Sequence, residues 1–203
     1  GLEKLDVPFL RDRTASPYLV APDGLYLRDP QSGKPLVWDD ISGAALPHDA
    51  PGARPAVAGG YRIARAVVVD ADHEQHEYAD VQGKTAYEML SEHIAKYTPE
   101  WAETICDVPA ATIRRIANEY LEAAAIGETI EIDGKVLPLR PVAVTLGKSV
   151  NNGWGAYECC WARTVLAALV GALENPGGLL GTTVRLNKSR DNRHLSVAPG
   201  EDG

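Results

Sequence analysis

The sequence predicts an α/β fold: helices on buried, parallel-sheet-like strands, preceded by a turn-rich β excursion. Three observations carry that prediction. Turn signals cut the first sixty residues into short extended pieces. From Thr85 onward, apolar residues recur at helical spacing. Finally, the apolar run "RPVAVTLG" opens through a glycine-bearing loop into a second apolar stretch, the strand–loop–helix order of α/β sheets. The reading divides the sequence into an extended β-rich part (1–84), helices plus the strand–loop–helix unit (85–181) and a polar tail (182–203).

Within the first part, "PDG", "DPQSGKP" and "HDAPGARP" mark turns. Residues 18–20 and 25–27 can pair across Asp23-Gly24 as a hairpin. "PLVWDD" and "ARAVVVDA" read as further strands, and little helix is expected after Arg13. The polar stretch "DHEQHEYAD" reads as a solvated loop. It carries His73 and His76 beside Glu74 and Glu77; a metal pair is conceivable there, but an exposed loop is the simpler reading.

In the second part, Ala86, Met89, Leu90, Ile94 and Tyr97 follow helical spacing. "TPEW" starts a short second helix, with Thr98 as cap and Pro99 in the first turn, ending near Cys106. A third follows "DVPA", with Ile113, Ile116, Ala117, Tyr120 and Leu121 on one stripe and Arg114, Arg115 and Glu119 on the wet face. The Met, Tyr and Trp side chains of these helices are read as core. "ETIEIDGKVLPL" is a hairpin turning at Asp133-Gly134. "RPVAVTLG" shows no alternation, which suits a strand buried on both faces. Residues 159–173 predict a helix apolar nearly all round, ended by "NPGG". Such a helix belongs inside a large protein.

Composition bounds the function. There are 203 residues, 45% apolar and 24% charged, with net charge -8. An acidic surface repels phosphate backbones, so no nucleic-acid partner is expected. No apolar run approaches the roughly 20 residues of a membrane span, and no secretory signal opens the sequence. Cys106, Cys159 and Cys160 form neither a disulfide framework nor C-x-x-C spacing. The start at Gly1 and the turn-like end "VAPGEDG" suggest a piece of something longer.

The chemistry concentrates in the loop "GKSVNNGWG". Gly147, Gly153 and Gly155 let the backbone approach a ligand closely. Lys148 adds a positive charge; Ser149, Asn151 and Asn152 offer donors and acceptors; Trp154 offers a flat face for a ring. A following helix N-terminus favours anions. The set suits a phosphorylated nucleotide or pterin, though it matches neither G-x-G-x-x-G nor a Walker loop. The alternative is a turn whose side chains satisfy their own backbone. Cys159 and Cys160 are read as core cysteines. Arg163, on an otherwise apolar helix, needs an anionic partner: Glu158 in a structural pair, or a cofactor phosphate.

Three segments, in order, resemble one family. "SPYLVAPDGLYLRD", "YTPEWAETICDVPAATIRRIANEYL" and "GKSVNNGWGAYECCWARTVLAALVGALENPGGLLG" are similar to stretches of the molybdopterin oxidoreductases. These are the bis-molybdopterin guanine dinucleotide enzymes related to dimethyl sulfoxide reductase. The last stretch carries the family's "L-x-G-x-x-x-x-P-G-G" pattern at Leu169 or Val170, Gly171, Pro176, Gly177 and Gly178. "VNNGWGAYECCWART" most resembles the branch that includes phenylacetyl-CoA:acceptor oxidoreductase. Polysulfide and thiosulfate reductases are neighbouring branches.

The resemblance implies a middle fragment of a much longer catalytic subunit, with partial Rossmann-like α/β domains. It implies bis-molybdopterin guanine dinucleotide with molybdenum or tungsten, shared with other parts of the protein, and a 4Fe-4S cluster in an N-terminal part. Gly147, Lys148, Ser149 and Asn152, with Asn151 and Trp154 less directly, become neighbours of the pterin or its phosphates. No metal ligand and no catalytic residue is assigned to this chain. The implied partners are the rest of its own polypeptide, a small-molecule substrate, an iron–sulfur electron-transfer subunit, and a candidate membrane anchor subunit. The fragment alone is expected to be inactive. A cytoplasmic location is expected, with the periplasm as alternative. The rival reading is a stand-alone α/β nucleotide- or partner-binding module without redox activity.

Overall fold

The computed structural model describes residues 1–145, 147, 150 and 152–179. After a 3-10 turn, Leu2–Lys4, helix α1 spans Val7–Arg13. Asp6 caps it by accepting from the Phe9 amide at 3.0 Å, and Pro8 fits the first turn, where no amide is needed. Strands β1 (Leu19–Val20), β2 (Leu36–Asp39), β3 (Ala44–Pro47), β4 (Gly60–Val69) and β5 (Gln75–Thr85) follow. Then come α2 (Ala86–Ile94), α3 (Pro99–Cys106), α4 (Ala110–Ala123), β6 (Thr129–Ile132), β7 (Lys135–Pro138) and α5 (Ala156–Leu169).

Helices and small sheets mix as the sequence predicts, but the pairing differs from the expected parallel sheet. Among the described residues the sheets are β1-β5-β4, β2-β3 and β6-β7, and every strand pair is antiparallel. The run "RPVAVTLG", expected as a doubly buried strand, has no regular secondary structure and no ladder over 141–145, and Val142 N donates to Arg140 O at 2.8 Å. Only Val142 is buried there, while Pro141, Ala143 and Thr145 are exposed. Hydrophobicity can bury a strand, but it cannot supply the neighbouring strands that satisfy its amides.

Two apolar clusters organise the structure. The first joins Leu19, Ala21, Leu27, Leu36, Ile63, Ala66, Val68 and Val81. The 18–20/25–27 hairpin forms as read, with Leu27 donating to Leu19 O at 2.9 Å and Ala21 to Leu25 O at 2.8 Å. β5 begins inside the stretch read as loop: Gln75 pairs with Val69 and His76 with Val68. Polar residues belong there because Gln75, His76 and Glu77 are exposed, while their β4 partners Val67 and Val68 are buried. Asp80, left-handed at φ 58°, interrupts the ladder between Ile63–Val81 and Arg65–Ala79. Its carboxylate pairs with Arg62.

Threonine caps open α2 and α3, the second at Thr98 as read. Thr85 Oγ1 accepts from Glu88 N at 3.2 Å, and Thr98 Oγ1 from Trp101 N at 3.2 Å. Glu88 does not return to the Thr85 amide as in a closed capping box; it accepts from Gly59 N at 3.1 Å, and Thr85 N donates to Gly59 O instead. That exchange ties α2 to the start of β4. α3 ends at Asp107, left-handed at φ 58°. Tyr97 and Trp101, read as core, stack edge-on at 4.9 Å but stay about half exposed, as do Ile94 and Ile116. Helical spacing identifies an apolar face, not whether this polypeptide covers it.

The second cluster joins Ala124, Val142, Ala167, Val170 and Ala172, with Tyr120, Leu121, Leu173 and Leu179 against it. α5 stops earlier than read. Its end is set by Gly171 (φ 69°), which follows the cap residue Val170, not by "NPGG". The two later glycines serve close packing. A Cβ on Gly177 would lie 2.8 Å from Pro141 Cα, and one on Gly178 2.1 Å from Ala172 O. The family-like "P-G-G" is thus where the polypeptide folds back against residue 141 and the end of α5.

Candidate functional site

Three hydrogen bonds between residues three apart mark the described part of the loop that leads into α5. Val150 N donates to Gly147 O at 3.1 Å, Gly153 N to Val150 O at 3.3 Å and Ala156 N to Gly153 O at 3.2 Å. Gly155, left-handed at φ 74°, occupies the N-cap of α5, and the helix has no cap from a side-chain group. A helix start of this kind leaves first-turn amides for water or an anion. Asn152, Gly153, Trp154, Gly155, Ala156, Tyr157 and Glu158 line an open depression of about 380 Å³ at that point.

Of the residues singled out in the sequence, Gly147, Asn152 and Trp154 are exposed, Trp154 completely. Asn152 and Trp154 share the depression. Lys148, Ser149 and Asn151 lie outside the described residues. Glu158 also stands on the rim, exposed in the first turn of α5. Its Oε2 lies 3.9 Å from where a Cβ on Gly155 would stand, so the carboxylate places negative charge beside the helix start.

α5 itself departs from the reading of an interior helix. Arg163 and Ala167 are its buried residues, whereas Tyr157 (79%), Trp161 (51%) and Leu166 (45%) are exposed. Cys159, read as core, is exposed and Cys160 is half-buried. The helix is as apolar as the sequence indicates, and these side chains are not covered by the described residues. Tyr120 Oη reaches Leu166 O at 3.5 Å, joining α4 to α5.

Sequence reasoning missed the joint that holds this helix. Asp6 and Arg140 are 5% and 4% exposed. Arg140 Nη2 and Nε donate to Asp6 Oδ2 at 2.7 and 3.0 Å. Its Nη1 donates to the carbonyls of Leu139, Ala125 and Glu128. Asp6 N in turn donates to Leu169 O at 2.9 Å, satisfying a carbonyl at the end of α5. An arginine set in "PLRPVAV" was the available signal, because a charge inside an apolar run needs a buried partner.

The histidines give no centre. His76 Nε2 lies 2.7 Å from Asp70 Oδ2, and that hydrogen bond raises the imidazole pKa while lowering that of the carboxyl. Among the described residues no group of three or more His, Cys, Asp and Glu side chains is placed to hold a metal ion. No helix among them is long and apolar enough to cross a membrane.

Comparison with curated proteins finds the A subunit of the sulfite dehydrogenase of Allochromatium vinosum, 30% identical over 161 residues. The alignment takes in 15% of that protein and 74% of this chain. The chain therefore spans about 15% of the length of the curated relative it matches. No family model matches the sequence.

Proposed function

We propose that this chain is part of the catalytic subunit of a molybdenum or tungsten oxidoreductase, and that its 147–155 loop forms part of the cradle for a bis-molybdopterin guanine dinucleotide. The observation that carries the reading is the loop's position: its turns end at the uncapped start of α5, beside a fully exposed indole. Similarity to part of a sulfite dehydrogenase supports a redox context, and the small share of that protein covered supports a fragment. Apolar side chains of α5 left uncovered by the described residues favour the fragment over a stand-alone binding module.

The donor set fits one phosphorylated end of such a cofactor. First-turn amides of α5 donate to phosphate oxygens, the glycines admit close approach, and Trp154 offers a face to a ring. Lys148, by its charge, offsets phosphate. The bound metal supplies the two-electron redox or oxygen-atom transfer chemistry. The residues of this fragment bind and orient; none acts as a metal ligand or a catalytic group. The proposed assembly is completed by a small-molecule substrate, an iron–sulfur electron-transfer subunit, and a candidate membrane anchor subunit, in cytoplasm or periplasm.

The test is composition of the full-length protein that contains this sequence. Stoichiometric molybdenum or tungsten, with pterin fluorescence after oxidative release, is expected, and both should fall in the Lys148→Glu variant. A full-length protein folded without metal or pterin overturns the reading.

A further inference from the structure

The asparagines among the described residues have different surroundings. Asn118 lies within α4 and precedes Glu119. Asn175 precedes Pro176, which has no amide hydrogen, and its Nδ2 is held by Gly171 O at 2.6 Å. Asn152 precedes Gly153, is exposed, and sits in a turn on the rim of an open depression. Glycine matters there twice. It has no Cβ to obstruct approach of its nitrogen to Asn152 Cγ, and its backbone is free to rotate into ring closure. The Gly153 amide is restrained by a bond of 3.3 Å to Val150 O, long for N–H···O.

We propose that Asn152 is a site of spontaneous deamidation. Hydroxide removes the Gly153 amide proton, and the nitrogen attacks Asn152 Cγ. A new bond forms between Gly153 N and Asn152 Cγ, the Asn152 Cγ–Nδ2 bond breaks, and ammonia leaves with a proton from water, which restores hydroxide. The product is a five-membered succinimide. Water then opens the ring at either carbonyl, leaving aspartate or isoaspartate. The net change is –NH2 replaced by –OH, with no oxidant or reductant, a gain close to one dalton and one new negative charge. That carboxylate lies just before α5, where it suits the helix dipole but opposes an anion arriving at the same place. The last consequence rests on the cofactor reading; the modification does not.

The purified protein is incubated folded at pH 8 and pH 6, digested with trypsin, and the peptide 149–163 followed by tandem mass spectrometry. The expected result is a one-dalton gain localised to Asn152, split into two chromatographic products. It should accumulate several-fold faster than at Asn118 or Asn175, and faster at pH 8. Gly153→Ala should slow it several-fold. If Asn152 keeps its mass while the same sequence converts as a free peptide, the fold protects the site and the proposal fails. Gain at Asn151 instead, or a Gly153→Ala rate equal to wild type, also overturns it. Guanine-nucleotide binding by Asn152→Asp, compared with wild type, tests the cofactor consequence separately.

Discussion

Asp6 and Arg140, 134 residues apart in sequence, meet in a buried two-pronged ion pair that fastens the start of α1 to the segment entering the 147–155 loop. Removing either partner strands the other charge in the interior. Arg140→Met or Asp6→Ala should each lower unfolding free energy by about 3–5 kcal/mol. The double variant should lose much less than the sum, because neither charge is then left alone. Urea titrations of the four proteins check this; strict additivity would show that the pair does not act as a unit.

Gly171 faces that joint. Its φ is 69°, and a Cβ there would lie 2.2 Å from Asp6 Oδ2. Gly33 has the same φ of 69° with nothing within 4 Å of its Cβ direction. Gly33→Ala should therefore cost about 1–2 kcal/mol, the left-handed penalty alone. Gly171→Ala should cost clearly more, since it also displaces the carboxylate that neutralises Arg140. Equal urea midpoints for the two variants would contradict the close approach.

Asp39 carries a pH dependence of defined sign. Its Oδ2 accepts from the Ser42 hydroxyl and amide at 2.6 and 2.8 Å, and its Oδ1 from the Arg54 amide at 2.7 Å. The Ser42 hydroxyl first, then these amides, lower its pKa from 3.8 to about 2. A depressed folded-state pKa means the contribution is complete above about pH 4 and is lost as pH falls through about 2. Asp39→Asn should flatten the acid limb of a plot of urea midpoint against pH in that window and leave its shape above about pH 5 unchanged.

The two threonine caps should differ. Thr85 is fully buried and coupled to Gly59 through its own amide and through Glu88, whereas Thr98 caps an exposed helix start. Thr98→Ala should lose about 1 kcal/mol and Thr85→Ala about 2 kcal/mol, the upper end for caps. Denaturant melts of both variants distinguish them.

Local chemistry made much of the fold legible. Thr98-Pro99 fixed the start of α3, Asp133-Gly134 the β6–β7 turn, and Asp23-Gly24 the first hairpin, because caps and turns depend on neighbours in sequence. What stayed hidden depends on distant partners. Nothing around Asp6 announces Arg140, and nothing in "PVAVT" says whether another strand pairs with it. α5 shows the same limit from the other side: Trp161 and Leu166, inside the stretch 159–173 read as an interior helix, are exposed, because hydrophobicity alone does not supply a cover. At the candidate site, the glycines and Trp154 were legible as residue types. The uncapped helix start and Glu158 on its rim emerged only in three dimensions.

The most direct measurement of the cradle is the reactivity of Trp154, which is completely exposed in this structure. Oxidative footprinting should modify it readily in the isolated fragment and in the full-length protein stripped of cofactor. In the cofactor-loaded protein it should be strongly protected. Equal Trp154 oxidation in the loaded and stripped forms would contradict the claim that this loop faces the cofactor.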